Sequence, residues 1–155
     1  MWWRRLRYVL LLASLCAIAT CPAAKRACTR NTRAQEAEEL LDYLGDRVAR
    51  AVATTGKVPP TAAGPTPQPG CCEQGGACSP DATTWSAQGW RELAFSIDDD
   101  YRYTYQYVPD PSGLSATLRA VGDLDCDGKA SLYEVKLTVI GGLVSRVWTR
   151  KDPVE

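Results

Sequence analysis

The residues whose types and spacing most clearly suggest chemistry lie in one acidic segment. Residues 123–134, DLDCDGKASLYE, match the calcium-loop pattern D-x-[DN]-x-[DN]-G-x5-E at every defining position. Calcium is a hard cation that takes about six to eight oxygen ligands. We therefore predict a Ca²⁺ ion bound by side-chain oxygens and one backbone carbonyl. The expected ligands are Asp123, Asp125, Asp127, Lys129 (through its carbonyl), Ser131 and Glu134.

A second interpretation of this segment is a solvated acidic turn whose aspartates cap their own backbone. An EF-hand requires a helix on each side of the loop, whereas the flanks here have the pattern of strands. Cys126 lies at a variable position, where a disulfide can restrain the turn. The metal site is favoured because the match extends to the distal Glu134 and because crowded carboxylates repel one another without a cation.

The chain of 155 residues contains no histidine, which restricts the catalytic chemistry open to it. Histidine is the commonest general base and a frequent metal ligand, so Ser-His-Asp and Cys-His catalysis are excluded. We expect a non-enzymatic protein with no catalytic residues. A carboxylate-based hydrolase is the third possibility, for which Glu92 with Asp99 or Asp100 would be the acidic pair.

The charge balance argues against nucleic acid as a partner. The whole chain has 18 basic and 18 acidic residues, but residues 1–24 hold three arginines and no acid. Residues 25–155 therefore carry 15 basic (18 − 3) against 18 acidic residues, a net charge of −3. Phosphate binding needs clustered lysines and arginines, which this part of the chain does not offer.

Residues 1–24 have the organisation of a secretory signal peptide. Three arginines precede an uncharged, mostly apolar run over residues 8–20, and small residues follow it. We predict an exported protein, located in the periplasm, on the cell surface or outside the cell, with cleavage after Ala19. A retained anchor and lipidation at Cys21 are the alternatives, and only this segment is expected to contact a membrane.

The cysteines indicate disulfides. In an exported chain, cysteines are more often paired than reactive. Adjacent cysteines rarely bond to each other, so Cys71 and Cys72 should each pair with a more distant partner. A zinc site is the competing interpretation, but the spacing lacks C-x-x-C and no histidine can complete it. The disulfide candidates are Cys28, Cys71, Cys72, Cys78 and Cys126, with Cys21 if cleavage precedes it.

The remaining pattern predicts a single α+β domain over residues 25–155. Apolar residues at helical spacing indicate one amphipathic helix over residues 32–55, capped by Asn31 or Thr32. A Pro/Gly/Cys loop over residues 58–81 follows, pinned by disulfides. The period then changes to two, which predicts an antiparallel sheet of about four strands within residues 95–150. The expected strands are 101–107, 114–121, 132–140 and 143–150, the last two joined by a Gly141-Gly142 hairpin turn.

Four tyrosines alternate along the first expected strand and leave two functions open. We expect Tyr101, Tyr103, Tyr105 and Tyr107 to form the face that packs against the helix. The alternative is a platform for stacking a ligand, which would suit a calcium-dependent adhesion or carbohydrate-binding module. That alternative requires the tyrosines to be exposed.

The order of several features resembles the type IV pilin-like, or prepilin-like, proteins of myxobacteria and their relatives. The resemblance spans roughly residues 25–150 and is carried by five features in series. They are the helix start TRAQEA at 32–37, the loop at 59–72, Trp85 and Trp90 with LAF at 93–95, the tyrosine strand, and AVGDLDCDG at 120–128.

This resemblance implies a pilin head, in which an N-terminal helix packs on a small antiparallel sheet. It also implies a surface filament subunit or a minor pilin-like component, with pilus or envelope proteins as partners. The prepilin cleavage pattern is not matched, since no acidic residue precedes Glu36. The resemblance is therefore confined to the head, which would be exported alone or tethered by its N-terminus.

Overall fold

The computed structural model of the chain describes residues 33–153. The expectations for the signal peptide, the helix cap at Asn31 or Thr32, and Cys28 lie outside this range. The described elements are one long helix, two short helical segments and five strands. They are α1 (33–55), β1 (Ala63–Thr66), the 3-10 turn η1 (Cys71–Gln74), α2 (Gln88–Leu93), β2 (Thr104–Pro109), β3 (Ser115–Gly122), β4 (Ser131–Ile140) and β5 (Leu143–Lys151).

Helix α1 presents one apolar stripe to the core. Its buried residues recur at intervals of three or four positions, so they share one face of the helix. Each is at most 1% exposed, while the intervening positions carry acidic and basic side chains. The predicted helix is confirmed, and its buried stripe consists of Ala37, Leu41, Leu44, Val48 and Val52.

The five strands form one antiparallel meander in the order β1-β2-β3-β4-β5. Strands β2 to β5 lie in the part of the chain where period-two alternation predicted a sheet. The expected number of about four strands misses β1, which comes from the proline-rich segment interpreted as loop. Ala63 pairs with Tyr107 and Thr66 with Tyr105, with a register shift between the two pairs.

The tyrosines of the first predicted strand are core residues. Tyr103, Tyr105 and Tyr107 are completely buried, and Tyr101, which forms an isolated bridge with Cys78, is 1% exposed. The packing interpretation of this alternation is therefore confirmed. The stacking platform is wrong, because no face of these rings is available to a ligand.

An aromatic cluster fills the space between α2 and the sheet. Trp85 makes edge-on contacts with Trp90 and Phe95, with ring centroids 5.3 and 5.4 Å apart. Trp90 also donates a hydrogen bond from Nε1 to Thr66 Oγ1 at 2.9 Å, which ties α2 to β1. The two tryptophans are thus buried core residues, and one of them has its polar atom satisfied.

Two disulfides restrain the loop after β1: one closes within the loop, and the other joins it to the connection between β3 and β4. Cys71 pairs with Cys78, and Cys72 pairs with Cys126, 54 residues along the chain. The prediction that neighbouring Cys71 and Cys72 bond to different partners is confirmed. Disulfides of this kind fit an oxidising environment outside the cytoplasm.

Charged side chains connect α1 to the residues before β2 and to the edge strand β5. The Glu36 carboxylate accepts a hydrogen bond from the Arg102 backbone N–H at 2.7 Å, near the start of β2. In the edge strand β5, Arg146 forms ion pairs with two acids of α1, and Arg150 pairs with Glu38. Within residues 33–153, no helix has both the length and the apolar character needed to cross a bilayer.

Candidate metal centre

The acidic loop is the connection between β3 and β4. Its base is closed by the pairing of Gly122 with Ser131, the last residue of β3 and the first of β4. The Ser131 hydroxyl donates to the Gly122 carbonyl at 2.9 Å and is completely buried. The sheet therefore fixes both ends of an eight-residue connection over residues 123–130.

The loop folds around the side chain of Asp123. Asp123 Oδ2 accepts a hydrogen bond from the Gly128 N–H at 2.8 Å, and Oδ1 accepts one from the Asp127 N–H at 3.2 Å. Gly128 adopts φ +92° and Cys126 adopts φ +61°, so the backbone enters the left-handed region twice. Glycine adopts this region at little cost, which explains why the turn needs glycine at position 128.

The turn brings three carboxylates together. An oxygen from each of Asp123, Asp125 and Asp127 lies within 4.8 Å of the other two. Asp123 is half-buried, whereas the other two aspartates are exposed. The Lys129 ammonium lies 3.2 Å from Asp127 Oδ2 and offsets part of the negative charge. Among the residues that the structure describes, no other group of three or more acidic or cysteine side chains is arranged in this way.

Three contacts hold the loop against the domain. The Cys72–Cys126 disulfide connects its tip to η1, and Leu124 is buried at 6% exposure. Arg33, at the first described turn of α1, donates from Nη1 to the Leu124 carbonyl at 3.2 Å. A loop restrained at several points loses little further conformational entropy when it binds an ion.

Two of the predicted ligands lie away from the carboxylate cluster. Glu134 is in β4 opposite Arg119, and its Oε2 accepts from Arg119 Nε at 2.7 Å. Since Glu134 lies three register positions beyond Ser131, the strand separates it from the loop base by about 10 Å. Ser131 uses its hydroxyl to close that base. The structure thus assembles the aspartates, with Lys129 beside them, and leaves Ser131 and Glu134 in the sheet.

The cluster offers oxygen ligands, which are the type that hard cations take. Three carboxylates supply oxygen ligands of the kind that calcium prefers, and exposure leaves room for water to complete the coordination shell. Magnesium demands near-ideal octahedral geometry at shorter distances, whereas calcium accepts a wider range of coordination numbers and geometries. The transition metals that prefer imidazole or thiolate find neither here, because the nearby cysteines are in disulfides.

The spacing of the sequence did not identify the residues that anchor the loop. Neither Arg33 nor the choice of Cys72 as the partner of Cys126 belongs to any local motif. The sequence indicated this anchoring only in that Cys126 lies inside the acidic pattern and that two adjacent cysteines precede it at positions 71 and 72. Long-range pairing of this kind depends on how α1 and η1 pack around the sheet.

The alternative acidic sites have different surroundings. Asp98, Asp99 and Asp100 are exposed residues before β2, and Glu92 accepts a hydrogen bond from Gln88 Nε2 at 2.8 Å within α2. Glu36 is the most enclosed carboxylate among those discussed. Burial raises its pKa above the ordinary value, against the opposing effect of its hydrogen bonds and ion pair with Arg102.

No protein-family model matches the chain, and no curated protein or solved structure shows significant similarity to it.

Proposed function

We propose that the chain is a non-enzymatic exported protein of the cell envelope or surface, with a pilin-like head stabilised by calcium. The observation that carries this proposal is the cluster of Asp123, Asp125 and Asp127 in a loop cross-linked through Cys126. The cluster is restrained by the same disulfide that fixes the loop after β1. An ion bound there would brace two connections of the sheet at once.

The fold supports the pilin-like part of the proposal. A long helix packed on an antiparallel sheet is what the resemblance to pilin-like proteins implies for a head domain, and two disulfides suit an exported one. In this proposal the partners are pilus or other envelope proteins, and the membrane is contacted only through residues 1–24. Nucleic acid is not a partner.

The calcium site in this proposal uses the carboxylates of the cluster and the Lys129 carbonyl, with water in the remaining positions. Sites with few charged ligands, such as those of extracellular modules, have dissociation constants of about 10⁻⁴–10⁻³ M. Such an affinity suits an ion that is abundant outside cells. At about a hundred-fold excess of calcium over Kd, binding stabilises the folded state by about 2.7 kcal/mol.

A thermal melt tests the calcium site. We expect the Tm of the oxidised protein to rise by several degrees when calcium replaces chelator. Asp125→Asn removes one charge from the cluster and should abolish most of this rise. Asp99→Asn removes an exposed acid elsewhere and should leave it intact. Equal responses of the two variants, or no response of the native protein, would reject calcium binding by the loop.

Export is tested separately. The full chain, produced in a diderm bacterial host, should be recovered outside the cytoplasm with both disulfides formed. Mass spectrometry of the recovered chain then distinguishes cleavage of the N-terminal segment from its lipidation and from its retention. A variant without residues 1–24 should stay in the cytoplasm. Recovery of the native chain in the cytoplasm with reduced cysteines would contradict the proposed location.

A further inference from the structure

The two edges of the sheet differ in their capacity to pair with another strand. The β1 edge is short, with four residues, and contains Pro65, which has no N–H to donate. The β5 edge has nine residues and no proline. No described strand lies beyond β5. Long edges without proline or bulges are templates for pairing with a further strand, and proteins normally protect them.

The residues of β5 that face the free edge follow from the hydrogen-bond pattern of the meander. The Val139 N–H donates to the Leu114 carbonyl at 2.8 Å. The backbone N–H and C=O of Val139 therefore point toward β3, and those of the next residue, Ile140, point toward β5. Ile140 pairs with Leu143, so the backbone N–H and C=O groups of the odd-numbered residues of β5 point toward β4. The outward N–H and C=O groups therefore belong to Val144, Arg146, Trp148 and Arg150.

The charged residues of β5 do little to protect this edge. Arg146 is directed onto α1, where it pairs with Asp42 and Asp46, and Arg150 pairs with Glu38. Both guanidinium groups are thus held over the helix-covered face of the sheet. On the other face, Val147 is 61% exposed at the middle of the strand.

We propose that β5 pairs antiparallel with β5 of a second copy of this chain, in a two-fold register centred on Val147. In this register Val144 lies opposite Arg150 of the second copy, and Arg146 lies opposite Trp148. These are the residues whose backbone groups face outward, so every outward group between Val144 and Arg150 finds a partner. The result is a continuous sheet of ten strands, twice the five of one copy.

Repulsion between like charges favours this register over the two adjacent ones. A shift to a centre at Arg146 would place that arginine opposite itself, and a shift to a centre at Trp148 would place Arg146 opposite Arg150. Like charges directly opposed in an antiparallel pair are destabilising. The register centred on Val147 places an uncharged residue opposite each basic one and an apolar side chain opposite its own copy.

The acids of α1 reduce the repulsion between the arginines of the two copies across the two-fold axis. Each copy brings two arginines, and these are already paired with the carboxylates of Glu38, Asp42 and Asp46. The helix-covered side of the junction therefore carries no excess of positive charge. On the open side, the two Val147 side chains meet at a non-hydrogen-bonded position, where Cα atoms are about 4.5 Å apart.

Disulfide trapping tests both the pairing and its register on the full chain. Val147→Cys places two thiols at the close pair on the two-fold axis and should give a covalent dimer under oxidising conditions. Ser145→Cys lies on the same face but opposite Thr149 of the second copy, and should give no dimer beyond that of the native chain. Dimers from both variants, or from neither, would overturn the proposed register.

Sedimentation over a wide range of protein concentration supplies an independent readout. Val147→Lys opposes two like charges at the axis and should shift the native dimer to monomer. Val121→Lys makes the same change at another exposed valine, away from the β5 edge, and should leave the dimer unchanged. A native chain that is monomeric throughout, or an association that Val147→Lys leaves intact, would reject the pairing of β5 with a second copy.

Discussion

The disulfide between Cys72 and Cys126 joins two loops that the sequence separates by 54 residues. Cys72 belongs to η1, in the proline-rich connection, and Cys126 lies at the tip of the acidic loop between β3 and β4. The Cys72 sulfur also lies 2.8 Å from the carbonyl oxygen of Asp123. The carboxylate cluster is therefore built on a covalently restrained turn.

Removal of this disulfide should reduce both stability and calcium binding. Cys72→Ala with Cys126→Ala frees a closed loop of 54 residues, for which chain entropy gives a loss of about 4 kcal/mol. We also expect a weaker calcium response, because the aspartates lose the restraint that holds them together. Urea unfolding with calcium and with chelator measures both effects.

The other disulfide provides the matched control. Cys71 and Cys78 are seven residues apart, so chain entropy assigns to their bond a smaller contribution of about 2.5 kcal/mol. Cys71→Ala with Cys78→Ala should lower stability but keep the calcium-induced shift. A shift lost equally in both double variants would show that calcium responds to overall stability and not to the acidic loop.

Glu134→Gln should leave the calcium response close to that of the native protein. Glu134 is paired with Arg119 in the sheet and lies beyond the reach of the aspartate cluster. The substitution removes a partly exposed ion pair, which contributes at most about 1 kcal/mol to stability. Calorimetric titration with calcium measures the affinity directly, and a large loss of affinity would show that Glu134 leaves Arg119 to bind the ion.

Glu36 should make the stability of the domain depend on pH in a definite direction. Burial raises its pKa above the ordinary value of 4.5, so folding favours the protonated form. Its stabilising contribution is present below that ordinary value and is lost as the pH rises through the folded-state pKa. The free energy of unfolding of the native protein, minus that of Glu36→Gln, should therefore fall between acidic and neutral pH.

The Glu36 prediction is checked by urea unfolding of both proteins across this pH range. Glu39→Gln removes an exposed acid from the same helix and controls for the change in net charge. A difference that grows as the pH rises would mean that the ion pair with Arg102 outweighs burial. In that case the carboxylate, and not the carboxylic acid, would be the form that the fold favours.

Gly89→Ala should be strongly destabilising. Gly89 lies in α2 directly against the segment that leads into β1, and an added Cβ would overlap the Ala62 carbonyl group. Overpacking against backbone costs about 1–3 kcal/mol or more, because backbone has little room to move. Gly45→Ala in α1 meets only the flexible end of Arg146, at 3.1 Å. Thermal melts should show a large loss of Tm for the first variant and a small change for the second.

Local pattern was sufficient to predict the elements whose burial is periodic. The stripe from Leu41 to Val52 required a helix with one buried face, and alternation from Tyr103 to Tyr107 required a strand with one buried face. The Gly141-Gly142 turn likewise defined the hairpin of β4 and β5. These features depend on interactions within a few residues, so a local pattern is enough to predict them.

The remaining features depend on contacts between distant residues, which no local pattern contains. Strand β1 has no alternating pattern and exists because its backbone pairs with β2. Cys72 meets Cys126 because η1 packs against the acidic loop, and the pairing of β3 with β4 places Glu134 opposite Arg119. A twelve-residue motif specifies which oxygens are available, but the register of the strands around it determines which of them meet.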